Sequence, residues 1–144
     1  MIQLLDANAL IALGDANHPH REAALRFFKE SATVAGWATC PLTENAFLRI
    51  LGGSGYPDGP GTPSEARLLL SRLLAAPGHQ FWSDDLSLGD TGLFPVLPAS
   101  RHLTDLYLLG LPVKRGGRLA TFDAGIDPAW VPGGAAALLL IPTD

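Results

Sequence analysis

Cys40 is the only cysteine among 144 residues, so no internal disulfide can form, and a reducing cytoplasm is the expected setting. Lysine is nearly missing too, with two lysines against eight arginines. Ten basic residues against fourteen acidic ones leave a formal net charge of −4. Proteins that hold nucleic acid by bulk charge are basic, which argues against non-specific duplex binding. It does not argue against an enzyme that gathers its acids around a cation, because a bound cation reverses the local field. No apolar run approaches the roughly 18 residues that would cross a bilayer. The longest, 135–141, is the length of a strand. The opening residues lack the basic stretch and small-residue cleavage site of a secretory signal. What is present is a large apolar fraction, 47%, beside 17% charged residues. That excludes a disordered chain, and the length suits one domain over 1–144.

Hydrophobic runs and turn residues alternate along the chain. Residues 2–5 read as a buried strand, 8–13 as a short helix, and a second helix begins at His18-Pro19-His20, with Pro19 in its first turn. A strand is expected at 33–38 and a helix from Pro41 to about Leu51. Residues 52–63 hold eight glycines and prolines in twelve positions and must be a loop. A helix at 64–76, a strand at 80–82 and a turn-rich stretch at 83–99 follow. The next helix, 100–111, should kink or end at Pro112. Strands at 118–122 and 136–141 close the chain. Short apolar strands alternating with helices indicate an α/β fold: a central parallel sheet of about five strands in three α/β/α layers.

Two aspartates stand just past buried strands, Asp6 after the first and Asp123 after the fourth. Ligands of open parallel sheets bind outside the carboxyl ends of the strands. Glu44 falls in the first turn of the helix after the second strand, and Asp105 early in the helix before the fourth. Four carboxylates can therefore converge. Unneutralised, they would repel one another and some pKa values would rise. A hard divalent cation, Mg²⁺ or Mn²⁺, removes that cost and can activate water against a phosphodiester. Taken singly, each acid has a plainer reading as a cap, a first-turn helix acid or a turn residue.

The segments carrying these acids resemble the motifs of PIN-domain ribonucleases, in particular VapC-type toxins of bacterial toxin–antitoxin pairs. Leu4-Leu5-Asp6-Ala7-Asn8-Ala9-Leu10 is similar to the opening motif and Thr43-Glu44-Asn45-Ala46-Phe47-Leu48-Arg49 to the second. Leu103-Thr104-Asp105-Leu106-Tyr107 resembles the third, and Arg118-Leu119-Ala120-Thr121-Phe122-Asp123 the fourth. The resemblance spans nearly the whole chain. It implies a PIN fold and Mg²⁺- or Mn²⁺-dependent endonucleolytic cleavage of RNA. Asp6, Glu44, Asp105 and Asp123 would be the metal ligands and catalytic acids, with Asn8 and Thr121 supporting them. It also implies a homodimer and a small VapB-type antitoxin partner. The high apolar content, which leaves apolar surface for contacts, is in keeping with that. Two other readings stand beside it: a doubly wound phosphohydrolase with Asp6 as nucleophile, and a non-catalytic PIN binding scaffold. The first usually has a second Asp two residues on, where this chain has Asn8. The second is disfavoured by the presence of all four acids.

Several residues carry two readings. Asn8 can cap the first helix or hold a metal-bound water. Thr121 can be a strand residue or a donor to a carboxylate. Lys114, Arg115 and Arg118 either neutralise a helix end capped by Gly116 or touch RNA phosphates, and Arg49 is a further candidate for the RNA path. His18, His20 and His102 read as helix-start or solvated positions, Cys40 as a small buried residue, and Ser83-Asp84-Asp85 as a helix start.

Overall fold

The computed structural model describes residues 1–143. Five strands form one parallel sheet in the order β3-β2-β1-β4-β5: β1 Gln3–Leu5, β2 Trp37–Thr39, β3 His79–Phe81, β4 Arg118–Thr121 and β5 Leu138–Leu140. Six helices accompany them: α1 Ala7–Gly14, α2 Arg21–Phe27, α3 Thr33–Ala35, α4 Pro41–Leu51, α5 Pro63–Leu74 and α6 Leu103–Arg115. The chain lays β2 and β3 to one side of β1, then returns to place β4 and β5 on the other. The reversal makes the carboxyl end of the β1/β4 pair the switch point of the sheet, where such folds bind ligands.

The three central strands are buried on both faces, with neighbouring residues pointing opposite ways into the two cores. Leu5, Trp37 and Ala120 join one core with Leu10, Phe47 and Leu70. Leu4, Ala38 and Leu119 join the other with Leu106, Leu109 and Val131. This is the three-layer α/β/α arrangement the sequence predicts.

The boundaries differ in places. The predicted strand at 33–38 begins as helix. α2 runs on through a π-helical stretch, Phe28–Ala32, into α3, and only Gly36, at φ 101°, turns the chain into β2. Thr33 and Val34 have β-forming side chains, but Val34 is largely exposed and has no sheet neighbour to pack on. The last strand is shorter than predicted, since Gly134–Ala137 forms a 3-10 turn ahead of it. Residues 83–85 are not helical. Asp85 instead pairs with Arg115, and Asp84 lies by the Cys40 thiol and the Leu42 amide.

Pro112 does not end α6. The helix continues to Arg115 and closes on Gly116, in the left-handed conformation at φ 74°, with the Gly117 amide on the Pro112 carbonyl at 2.9 Å. Gly110, two residues before that proline, admits the Phe94 ring of the 83–99 segment. A Cβ there would stand 2.5 Å from the ring. Phe94 is buried, so the ring has little room to retreat. Gly110→Ala should therefore destabilise the fold by about 1–2 kcal/mol, overpacking outweighing the gain in helix propensity. Thermal melting checks this, and an unchanged or raised midpoint would refute it. The 52–62 loop is pinned at its tip, where the Tyr56 hydroxyl donates to Asp15 at the end of α1 at 2.6 Å.

Candidate active site

β1 runs into α1 with no intervening loop, and Asp6 is the junction. One carboxylate oxygen, Oδ1, accepts the Ala7 amide at 2.7 Å and so caps α1. The other, Oδ2, accepts the Thr121 hydroxyl at 2.8 Å from the end of β4. Thr121 Oγ1 in turn accepts Asn8 Nδ2 at 3.0 Å and the Asp123 amide at 3.0 Å. Asn8 Oδ1 accepts the Phe122 amide at 3.1 Å. Thr121 is thus both the last residue of β4 and a donor to the Asp6 carboxylate, whereas Asn8 does not cap α1, a role that Asp6 takes, and instead joins Thr121 in tying the ends of β1 and β4 into one hydrogen-bonded unit. Asp123, exposed, accepts the Gly125 amide at 2.8 Å.

Asp6 is only 6% exposed. Its pKa is pushed up to about 6, first by burial and further by the negative charges of Asp105 and Asp123, against the lowering effect of the Thr121 and Ala7 hydrogen bonds. Asp105, in the first turn of α6, is likewise raised, by burial and then by Asp123, with His102 acting in the opposite direction. These three acids share one electrostatic field. Within residues 1–143 no ion pair links any of them to a lysine or arginine.

Glu44 is held one strand away. Its Oε2 accepts the Thr39 hydroxyl at 2.7 Å at the end of β2, and Thr39 Oγ1 meets His79 Nε2 at 2.8 Å. The cavity of about 300 Å³ between α1 and the 52–62 loop contains none of the four acids. Among the described residues no three His, Cys, Asp or Glu side chains stand close enough to share one metal ion. The donor set nevertheless suits a hard divalent cation. It is all oxygen, its charges oppose one another, and its buried member has no cation to offset it.

The basic residues expected on the RNA path are not brought to the acids. Lys114 and Arg115 end α6, about 15 Å along the axis from Asp105. Arg115 donates to Ser83 and Asp85 and lies over the Trp82 ring at 5.4 Å. Arg118 opens β4, at the opposite end of the strand from Thr121. Arg49 is exposed on α4, roughly 140° around the helix from Glu44. Two ring pairs stand nearer the acids: His20 stacked on Phe122 at 4.7 Å, and His102 against Trp130 at 5.2 Å. Arg101, exposed, precedes His102 in the 3-10 turn that leads into α6. Sequence reasoning missed the Thr39–His79 pair. The pair had no sequence signal, because His79 and Thr39 are forty positions apart.

Mycobacterium tuberculosis provides close relatives. Ribonuclease VapC39 is 41% identical over 128 residues, 88% of this chain and 91% of its own. Ribonuclease VapC38 is 44% identical over 124 residues, 85% and 86% respectively. Ribonuclease VapC29 is 39% identical over 143 residues, 99% of this chain and 98% of its own. The chain belongs to the VapC ribonuclease family. No family model matches it, so membership rests on these full-length relatives. A VapC member is expected to have a PIN-type fold, and the five-stranded parallel sheet between helices is in agreement.

Proposed function

We propose that the protein is a divalent-metal-dependent endoribonuclease, the toxin of a VapBC-type pair. One observation carries this reading: the buried, cation-free Asp6 shares its field with Asp105 and Asp123 at the β1/β4 switch point. Asp6, Asp105 and Asp123 would hold Mg²⁺ or Mn²⁺ partly through the ion's own waters, since no three side chains within residues 1–143 stand close enough to ligate it directly, with Glu44 as the fourth acid. The bound ion would supply a nucleophilic water at neutral pH and stabilise charge on the phosphodiester. Thr121 and Asn8 fix the Asp6 carboxylate, and the Asp123 amide bonded to Thr121 Oγ1 keeps the β4 end in register with it. The phosphohydrolase alternative gains nothing from the structure, since Asn8 stands where such enzymes place a second Asp and no ion pair joins Asp6 to a lysine within residues 1–143.

RNA must be held by cations outside the acidic patch, because carboxylates repel phosphate. Arg101, exposed and adjacent to the His102 whose charge acts on Asp105, is favoured over Lys114 and Arg115. In an inactive background, Arg101→Ala should weaken RNA binding and lower the slope of log affinity against log salt by about one, the signature of one lost phosphate contact. Lys114→Ala should change neither. The reverse pattern would route the RNA over the strand-start edge. A homodimer and a small antitoxin belong to this reading as well. A basic antitoxin side chain would complement the acids, and co-purification with the product of an adjacent small gene tests the partner.

The test of the function is cleavage of single-stranded RNA by purified protein with Mn²⁺. Activity that persists in excess EDTA would overturn the metal dependence, and its absence under all metals would overturn the assignment.

A further inference from the structure

Glu44 is the one acid of the four held apart from the others, and what holds it is a chain of hydrogen bonds across three elements. Thr39, at the end of β2, is wholly buried. Its hydroxyl has one proton. A carboxylate only accepts, so that proton goes to Glu44 Oε2, at 2.7 Å. The contact of Thr39 Oγ1 with His79 Nε2, at 2.8 Å, must then be donated by the imidazole. That fixes a proton on Nε2 and orients the chain His79 to Thr39 to Glu44. His79 opens the edge strand β3, pairs in register with Trp37 and packs its ring against the Trp37 indole at 4.7 Å. The indole is anchored in turn by its own donation to the Pro77 carbonyl at 3.1 Å. Glu44 Oε1 accepts no hydrogen bond within residues 1–143, so one oxygen is clamped while the other is left for a ligand.

We infer that Thr39 and His79 are positioning residues for Glu44, setting the orientation in which this acid serves the metal site. The inference rests on the reading that Glu44 takes part in that site. A glutamate in the first turn of a helix otherwise samples several rotamers, and ordering it on binding costs free energy. Groups that orient a ligating carboxylate typically contribute about 10–100-fold to metal affinity. A merely structural role would be different: His79 would satisfy the buried Thr39 hydroxyl and pack on Trp37, and its loss would lower stability alone.

The experiment titrates Mn²⁺ into the full chain by calorimetry and measures kcat and KM on RNA for the same proteins. His79→Phe keeps a ring against Trp37 but removes the donor, whereas His79→Gln keeps an N–H. Thr39→Val removes the central hydroxyl. His79→Phe and Thr39→Val should weaken Mn²⁺ binding by about tenfold or more and lower kcat with KM little changed. His79→Gln should recover most of both. The Thr39→Val/His79→Phe double variant should be no worse than Thr39→Val, since both act through one link. In a Glu44→Gln background, His79→Phe should have no further effect on Mn²⁺ binding. If Thr39→Val fails to fold, the two variants at the half-exposed His79 decide the matter. A folded His79→Phe protein with wild-type Mn²⁺ affinity, or equal losses in His79→Gln and His79→Phe, overturns the inference while leaving the metal site standing. Wild-type protein that binds no Mn²⁺ overturns the metal site itself, and the inference with it.

Discussion

Asp6→Asn should lower RNA cleavage by at least about a hundredfold at saturating Mn²⁺. Losing an outer partner of a metal ligand already costs about 10–100-fold, and this substitution removes charge from the central carboxylate itself. It also breaks a hydrogen bond that no rotation can restore. Thr121 Oγ1 already accepts from Asn8 and from the Asp123 amide, and its single proton goes to Asp6 Oδ2. An amide nitrogen at Oδ2 would face an oxygen with no free lone pair. Turned the other way, the same amide would confront the Ala7 N–H that caps α1. Loss of growth inhibition on expression should accompany the loss of cleavage. A folded variant cleaving at the wild-type rate would remove Asp6 from the mechanism.

The second large effect is on stability in the absence of metal. In the fold, burial holds the proton on Asp6 up to about pH 6, against an ordinary aspartate value of 3.8. Between those values the folded state binds a proton that the unfolded chain does not, so stability falls as pH rises through this window. The full shift corresponds to roughly 3 kcal/mol, lost above pH 6, or about 10 °C in melting midpoint for a chain of this size. Asp105, also raised, adds in the same direction. His18 and His79, whose pKa values burial lowers, act oppositely, because their unfolded forms bind the proton more readily. Asp6→Asn removes the Asp6 contribution and leaves those of Asp105 and the histidines in place. In EDTA, wild type should lose more stability than the variant between pH 4 and pH 7.5, and Mn²⁺ at pH 7.5 should restore wild type alone. Parallel curves for the two proteins would mean that Asp6 carries no such strain.

Much of this site could be read from the sequence because its parts are local. An apolar strand that stops at an aspartate is visible as residues 2–6 and again as 118–123, and parallel-sheet topology puts such ends on one edge. The sheet order itself, with β4 beside β1, came from no periodicity, yet it is what joins Asp6 to Thr121. Long-range contacts were the parts that stayed hidden. Glu44 lies on the predicted helix, but its clamp comes from Thr39 and from His79 on an edge strand whose first residue no hydrophobic pattern marks. Lys114, Arg115 and Arg118 are close to Asp123 in sequence but reach it only by traversing the length of β4. Pro112 is expected to kink or end its helix because its missing N–H removes one hydrogen bond, whereas α6 runs on to Arg115 with Leu106, Leu109 and Leu111 buried around the proline.

The central claim is that Asp6, Asp105 and Asp123 bind one functional divalent-metal centre. Calorimetric titration of Mn²⁺ into the metal-free protein at pH 7.5, alongside Asp6→Asn, Asp105→Asn and Asp123→Asn, tests it most directly. The account predicts saturable binding to wild type, weakened by about tenfold or more in each of the three variants. Mn²⁺ binding of equal strength in all four proteins would contradict it.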